Sequence, residues 1–406
     1  MLVTNRAGAS ESLDRARLAR LCSATLFHFV AMGMFMSAIP LYVHDVLGGS
    51  RAVVGVATAA FFPAAVLARP FIGVALDRVG RRPALLAATS VAAVLSVLYF
   101  AAGSVWAIVL LSVVRGGVGA AFYTGAATMA TDMSPPGRRA ETVTLFSLFL
   151  YIGFAAGPAL GEWLATQIGF GSVWVTASVL SVVAFAITLS LPETLVPHPP
   201  HADVVHPRFG LHGAALGPGL VVMCAATGYT AITAFSPLYA RSIGLSSSAG
   251  LYITFSLTIL AIRLLSRRWA DRHGRVSVAL PGIIGATVGM TTLAVFQFPW
   301  AAYLGVAAYS AGFAVLFPAL LALTADRVGD HERGAALATF TVFFDIGGGA
   351  GTYLVGLIAN SYGFGVGYGL PAVLCAGAAL AFGTRVLLRQ RPGREPRLPS
   401  PASPDP

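Results

Sequence analysis

Twelve long apolar runs govern what this chain can fold into. A helix rises 1.5 Å per residue, so about 20 mostly apolar residues cross a hydrocarbon layer of roughly 30 Å. Such runs occupy approximately residues 19–43, 51–76, 83–103, 105–131, 141–165 and 171–192, then 213–240, 248–267, 276–297, 299–324, 335–359 and 364–388. The chain is 56% hydrophobic and only 10% charged, where soluble domains carry about 25% charged residues. A soluble core could not absorb this much apolar chain without large exposed patches, whereas a bilayer can. The fold expected is an all-α membrane protein. Residues up to about Arg20 are polar and Arg-rich, and the apolar stretch after them is too long for a signal-peptide core. That stretch is therefore expected to stay in place as the first spanning helix.

The net charge of +10 does not indicate nucleic acid. All 26 basic residues are arginines, and they sit in short clusters between apolar runs rather than on one basic face. The exclusive use of Arg fits a GC-rich bacterial genome. The positive-inside rule reads the placement instead. If the N-terminus is cytoplasmic, outer loops hold only Arg51 and Arg241, and nearly all other loop arginines are inside. The expected location is the plasma membrane, multi-pass, with both termini cytoplasmic. Cys22, Cys224 and Cys375 are scattered, with no disulfide framework or metal spacing.

The chain repeats itself. Adding 194 carries Arg69 to Arg263, Asp77 to Asp271, Arg78 to Arg272, Gly80 to Gly274, Arg81 to Arg275, Asp132 to Asp326 and Gly169 to Gly363. Glycine bias could align glycines, but not this many rare Asp and Arg residues. Two parallel six-helix halves follow, with a site expected near the midplane between them. The expected division is an N-terminal half 1–192, a cytoplasmic linker 193–212, a C-terminal half 213–390 and a disordered tail 391–406.

The loop after the second run reads Gly73-Val-Ala-Leu-Asp77-Arg78-Val-Gly80-Arg81-Arg82. It resembles the G-x-L-A-D-R-x-G-R-[KR] signature of the major facilitator superfamily, with Leu and Ala transposed. A degenerate copy contains Asp271, Arg272, Gly274 and Arg275. The resemblance covers the whole chain. Physically, Gly73 lets a neighbouring helix approach, Asp77 suits a helix N-terminus, and the arginines suit carboxylates or anionic lipid. Together these residues are expected to form a cytoplasmic latch for one state of alternating access. Arg69 and Arg263, two turns earlier, either snorkel to the cytoplasmic face or belong to the same latch, and the latch is preferred because both halves keep them.

Gly153-Phe-Ala-Ala-Gly157-Pro158-Ala-Leu-Gly161 resembles the G-x-x-x-G-P-x-x-G motif of the family's twelve-helix drug/proton antiporters, with Glu162 where a second glycine often stands. Arg115-Gly-Gly-Val-Gly119 resembles its R-x-x-x-G motif, linked to proton transfer. Charged groups inside a membrane are costly and usually functional. Asp345 is the leading proton-coupling candidate, with Arg115, Glu162 and His28 behind it. Structural pairing of Asp345 with another helix, and a solvated Glu162, are the alternatives. The resemblance places the cavity on the first, fourth, seventh and tenth helices. There Phe27, Phe35, Phe122, Tyr123, Tyr229, Phe235, Tyr303, Tyr309, Phe313 and Phe317 suit an apolar or amphipathic compound.

The function expected is proton-coupled efflux of a small drug-like or natural-product compound by alternating access. The alternatives are uptake or facilitated passage of a sugar or other metabolite, and a non-transporting sensor. No enzyme motif, cofactor or metal is expected beyond a proton gradient as energy source. The partners expected are the substrate, protons and the bilayer, with no nucleic acid, and the chain is expected to work as a monomer.

Overall fold

A computed structural model describes residues 2–134, 139–195, 212–266 and 274–389. Asp271 and Arg272, most of the linker and the whole tail lie outside the described residues. The first half comprises α1 (Leu2–Leu41, ending in a π-turn Tyr42–Val46), α2 (Arg51–Ala59 continued by Phe61–Arg78), α3 (Arg81–Leu98), α4 (Val105–Asp132), α5 (Arg139–Gln167) and α6 (Phe170–Leu189). The second comprises α7 (Gly213–Ser242), α8 (Ala249–Leu265), α9 (Arg275–Val295), α10 (Pro299–Ala325) and the segment Asp330–Arg389. That segment breaks at Gly363 into α11 (330–362) and α12 (364–389), because Gly363 has φ +84° and ψ 169°. Helix α1 starts well before the first apolar run, so its polar entry is helical too.

Among the described residues, ten helices are long and apolar enough to cross a membrane. One of them, Ala335–Thr384, contains the Gly363 break, and Ala249–Leu265 is a shorter apolar helix. Twelve crossings are thereby accounted for. Large apolar side chains such as Trp106, Trp300 and Leu380 point outward and exposed, as a lipid-facing surface requires.

The repeat survives as geometry. The turns before α3 and α9 both rest on a positive-φ glycine, Gly80 at +112° and Gly274 at +82°. So do the turns before α6 and α12, at Gly169 and Gly363; side chains with a Cβ rarely adopt this conformation. Within the halves, α1 packs on α5 and α6, and α7 packs on the α11–α12 segment. Between them, α2 meets α11, α5 meets α8, and α1 meets α7.

Apart from one pair inside the spanning helices, Arg69 with Asp345, the polar ties between halves among the described residues gather at the Arg-poor end. Arg241 donates to Asp45 at 2.9 Å, Arg51 donates to the Ala359 carbonyl at 2.9 Å, and Glu162 accepts from Ser248. At the Arg-rich end the described ties stay within one half: Arg20 to Ser190 and Arg81 to Asp132 in the first, His212 to Glu332 and Arg275 to Asp326 in the second. The molecule is closed at the Arg-poor end, and no polar tie between described residues crosses its Arg-rich end.

Candidate functional site

The Arg-rich loop is built around an arginine and two carboxylates. Arg81 donates from Nε to Asp132 at 3.2 Å and from Nη1 to the Leu76 carbonyl at 3.0 Å. Its repeat mate Arg275 reaches Asp326 at 3.4 Å, so the same tie holds both halves. Glu193, which the sequence reading left in the linker, is part of this loop. It accepts from the backbone N–H of Arg81 and Arg82 at 3.0 Å each and of Thr194 and Leu195 at 2.8 Å each. Desolvation alone would raise its carboxyl, but the four N–H donors prevail and hold it below the usual carboxylate value. Arg82 donates to the Leu189 carbonyl at 2.8 Å, tying α3 to the end of α6.

Two expectations for this loop fail. A methyl group on Gly73 would meet nothing within 4 Å, so no neighbouring helix uses the room it leaves. Asp77 has a 78% exposed side chain, and among the described residues its partner is Arg81, at 3.7 Å, rather than a helix N-terminus. Arg78 is exposed as well. Among the described residues no polar tie joins Asp77 or Arg78 to the second half.

Arg69 also departs from its expected place. It donates from Nε and Nη2 to one oxygen of Asp345, at 2.9 and 2.7 Å, crossing from α2 to α11. The Asp345 side chain is 6% exposed and that of Arg69 25%. The equivalent position to Asp345, 194 residues earlier, is Tyr151. Over its ring, 4.7 Å from the centroid, lies the guanidinium of Arg263, the repeat mate of Arg69. Two related arginines therefore cross between halves, one to a carboxylate and one to a phenol.

Between these crossings lies an aromatic group. Tyr229 of α7 packs on Phe255, Phe313 and Phe344 with centroids 5.2–5.6 Å apart. Phe313 and Phe317 neighbour each other at 5.9 Å on α10. Tyr123 of α4 is 46% exposed and lies within electrostatic reach of Arg69 and, from the other half, of Arg263. Tyr309 is fully buried and donates to the Ala225 carbonyl at 2.6 Å. Phe35 lies inside the first half, against Tyr99 and Trp174. Phe235 packs on Phe364, Tyr303 lies against Gly250, and Phe27 is half-buried.

His28 and Arg115 come together in a separate small cavity within the first half, about 20 Å³ in volume, which Asp345 does not line. His28 stacks on Phe122 at 3.8 Å and neither ring nitrogen has a partner. Arg115 lies over Phe35 and Phe61, and its Nε is also without a hydrogen-bond partner among the described residues. The cavity's other walls are mostly apolar, including Ala31, Met32, Leu95 and Val118, and a space of this size has room for no more than about one water molecule.

The glycine row on α5 does what its spacing suggests. A methyl on Gly157 would lie 2.5 Å from the Val30 carbonyl oxygen and 2.8 Å from Gly33 Cα, so α5 and α1 touch backbone to backbone. Ser37 of α1 donates to the Pro158 carbonyl at 2.8 Å. One turn on, Glu162 is buried rather than solvated, accepting from the N–H and hydroxyl of Ser248 at the start of α8.

Four partners were missed from sequence: Glu193, Ser248, Asp45 and Tyr151. Only Tyr151 carried a signal, since the 194-residue offset pairs it with Asp345.

The comparisons with known proteins agree with this architecture. The Major Facilitator Superfamily profile matches residues 21–266 and 219–406. The chain is 29% identical over 389 residues to the uncharacterized MFS-type transporter YhhS of Escherichia coli (strain K12), covering 92% of this chain and 94% of the relative. Its fold matches that of the nucleoside transporter NupG, with TM-score 0.72 and 15% identity over 91% of this chain and 99% of that one. It also matches a bacterial homolog of the human lysosomal transporter Spinster, with TM-score 0.74 and 16% identity over 94% and 99%. The chain belongs to the Major Facilitator Superfamily and is a multi-pass membrane transporter, not an enzyme.

Proposed function

We propose that this transporter exports small organic compounds in exchange for protons by alternating access, as a monomer in the plasma membrane. The arginine distribution supports a cytoplasmic Arg-rich end. The state described is then inward-facing, closed outside by Arg51, Arg241 and Glu162.

The Arg69–Asp345 bridge carries the reading. It joins the halves from within spanning helices, and Asp345 is nearly buried. A proton on Asp345 removes its charge and weakens the bridge, so proton occupancy and the relative position of the halves are linked. Coupling needs that difference in affinity between states. The close α1–α5 contact along Gly153, Gly157 and Gly161 supports the exporter assignment, because it leaves little room for leak on that side of the chamber.

The test uses purified protein in liposomes with an imposed pH gradient and a panel of lipophilic drugs, sugars and aromatic metabolites. Proton movement triggered by substrate in the native protein and lost in Asp345→Asn is expected; Arg115→Ala reports whether the small cavity takes part. Substrate movement without protons in the native protein would sink the exchange reading and leave a facilitator.

A further inference from the structure

The two repeat-related arginines differ in one respect: only one has an anion. Arg69 has Asp345 at 2.7 Å. Arg263 has the Tyr151 ring at 4.7 Å, no carboxylate partner among the described residues, and a buried Nε without a hydrogen-bond acceptor. A ring face attracts a guanidinium but does not neutralise it, and half-buried Arg263 keeps one donor out of water with no acceptor to satisfy it. A cation kept in this condition inside a membrane protein points to a ligand.

The surroundings say which kind. Tyr123 and Tyr229 both lie within electrostatic reach of Arg263. Tyr123 is 46% exposed, and Tyr229 begins the ring cluster with Phe313 and Phe344. A guanidinium offers paired donors that match a carboxylate, and phenols add donors beside it. An aromatic wall next to an unpaired arginine suits a molecule with a ring and an acid group.

We propose that the transported compound is an aromatic carboxylate whose acid group pairs with Arg263, taking the place that Asp345 holds in the other half. This rests on the reading of the space between the halves as the transport chamber, but not on the direction or energy source of transport.

The test is binding to the purified full chain in a neutral detergent without anionic lipid, at fixed near-neutral pH and with no gradient. The probes are benzoate, 1-naphthoate and indole-3-acetate, each against its primary amide, followed by titration calorimetry and the shift in unfolding temperature. The expected result is a preference of about tenfold or more for each carboxylate that binds over its amide, the size one charge-assisted hydrogen bond confers. Arg263→Gln should abolish the preference. So should Tyr151→Asp, which rebuilds inside the protein the pair found at Arg69–Asp345, and which should unfold no lower than native. Equal response to acid and amide in the native protein, including no response to either, overturns the proposal. So does a preference that persists in both variants. A native protein that prefers the acids but moves no protons in the liposome assay keeps this inference and loses the exchange reading.

Discussion

Glu162 on α5 accepts hydrogen bonds from the backbone N–H of Ser248 at 2.9 and 3.0 Å and from its hydroxyl, joining the two halves where α8 begins. The carboxylate is 6% exposed. Charge-assisted bonds of this kind contribute about 1.5–3 kcal/mol each. Glu162→Ala is therefore expected to shift the balance toward opening at the Arg-poor end by about 2 kcal/mol, or roughly 30-fold in the open-to-closed ratio. Spin labels at Val46 and Ser246, exposed positions beside the two turns at this end, would report it as a longer distance population. An unchanged distribution would show that the bond does not hold the closure. The neighbouring Arg241–Asp45 pair has side chains 43% and 34% exposed, and such pairs contribute about 0–1 kcal/mol. Asp45→Asn should shift the distances less, and salt should erase its effect.

The Arg69–Asp345 pair should behave differently from either residue alone. Removing one partner leaves a charge largely out of water; for fully buried pairs that costs about 3–5 kcal/mol, and the partial exposure of Arg69 places this pair toward the lower end. Replacing both by apolar residues removes the penalty with the attraction. Asp345→Leu and Arg69→Met are each expected to lower the unfolding temperature more than the double substitution does. A double-mutant cycle on thermal unfolding measures this. Additive losses would mean that the two side chains are independently stabilised and that no coupling passes between them.

How much of this was readable beforehand follows from what each feature depends on. Spans and turns depend on local chemistry: apolar length places the helices, and Gly80 and Gly169 mark turns that need positive φ. The 194-residue repeat was visible because Asp and Arg are rare here, and it correctly paired Arg81 and Asp132 with Arg275 and Asp326. What one helix presents to another was not visible. Arg69 and Arg263 read as part of the latch because both halves keep them, yet helix rotation aims Arg69 at α11 and Arg263 at α5. For Glu162 the depth left a proton site and a solvated carboxylate both open, because the partner that buries it lies 86 residues away. Glu193 follows a Pro at the end of α6 and looked like linker; only the fold brings it to the N-terminus of α3.

Glu193 makes the loop sensitive to acid. Its carboxyl is held below the ordinary value by four N–H donors. A group with a depressed folded pKa contributes its full stabilisation above the unfolded value, about 4.3 for Glu. That contribution is lost as pH falls through the lower folded value. The native unfolding temperature should therefore drop below about pH 4.3 more steeply than that of Glu193→Gln, with the difference between them shrinking as acid is added. Parallel pH profiles would show that the carboxylate charge is not what secures the loop.

Two glycines expected to serve close helix approach are predicted to respond in opposite ways to the same change. Gly157→Ala places a methyl 2.5 Å from the Val30 carbonyl oxygen, a backbone atom that cannot swing aside. Helices α1 and α5 must separate, and overpacking of this kind costs about 1–3 kcal/mol. Gly73→Ala meets open space in this state, so the unfolding temperature should stay within the small range typical of neutral substitutions. If the Arg-rich end closes during transport, however, Gly73 faces the other half in the closed state. Gly73→Ala should then leave stability intact while slowing transport and lengthening the open population at that end. Measuring unfolding temperature and transport rate on both variants separates the cases. A destabilised Gly73→Ala would contradict the open arrangement described, and a fully active one would remove Gly73 from the closing surface.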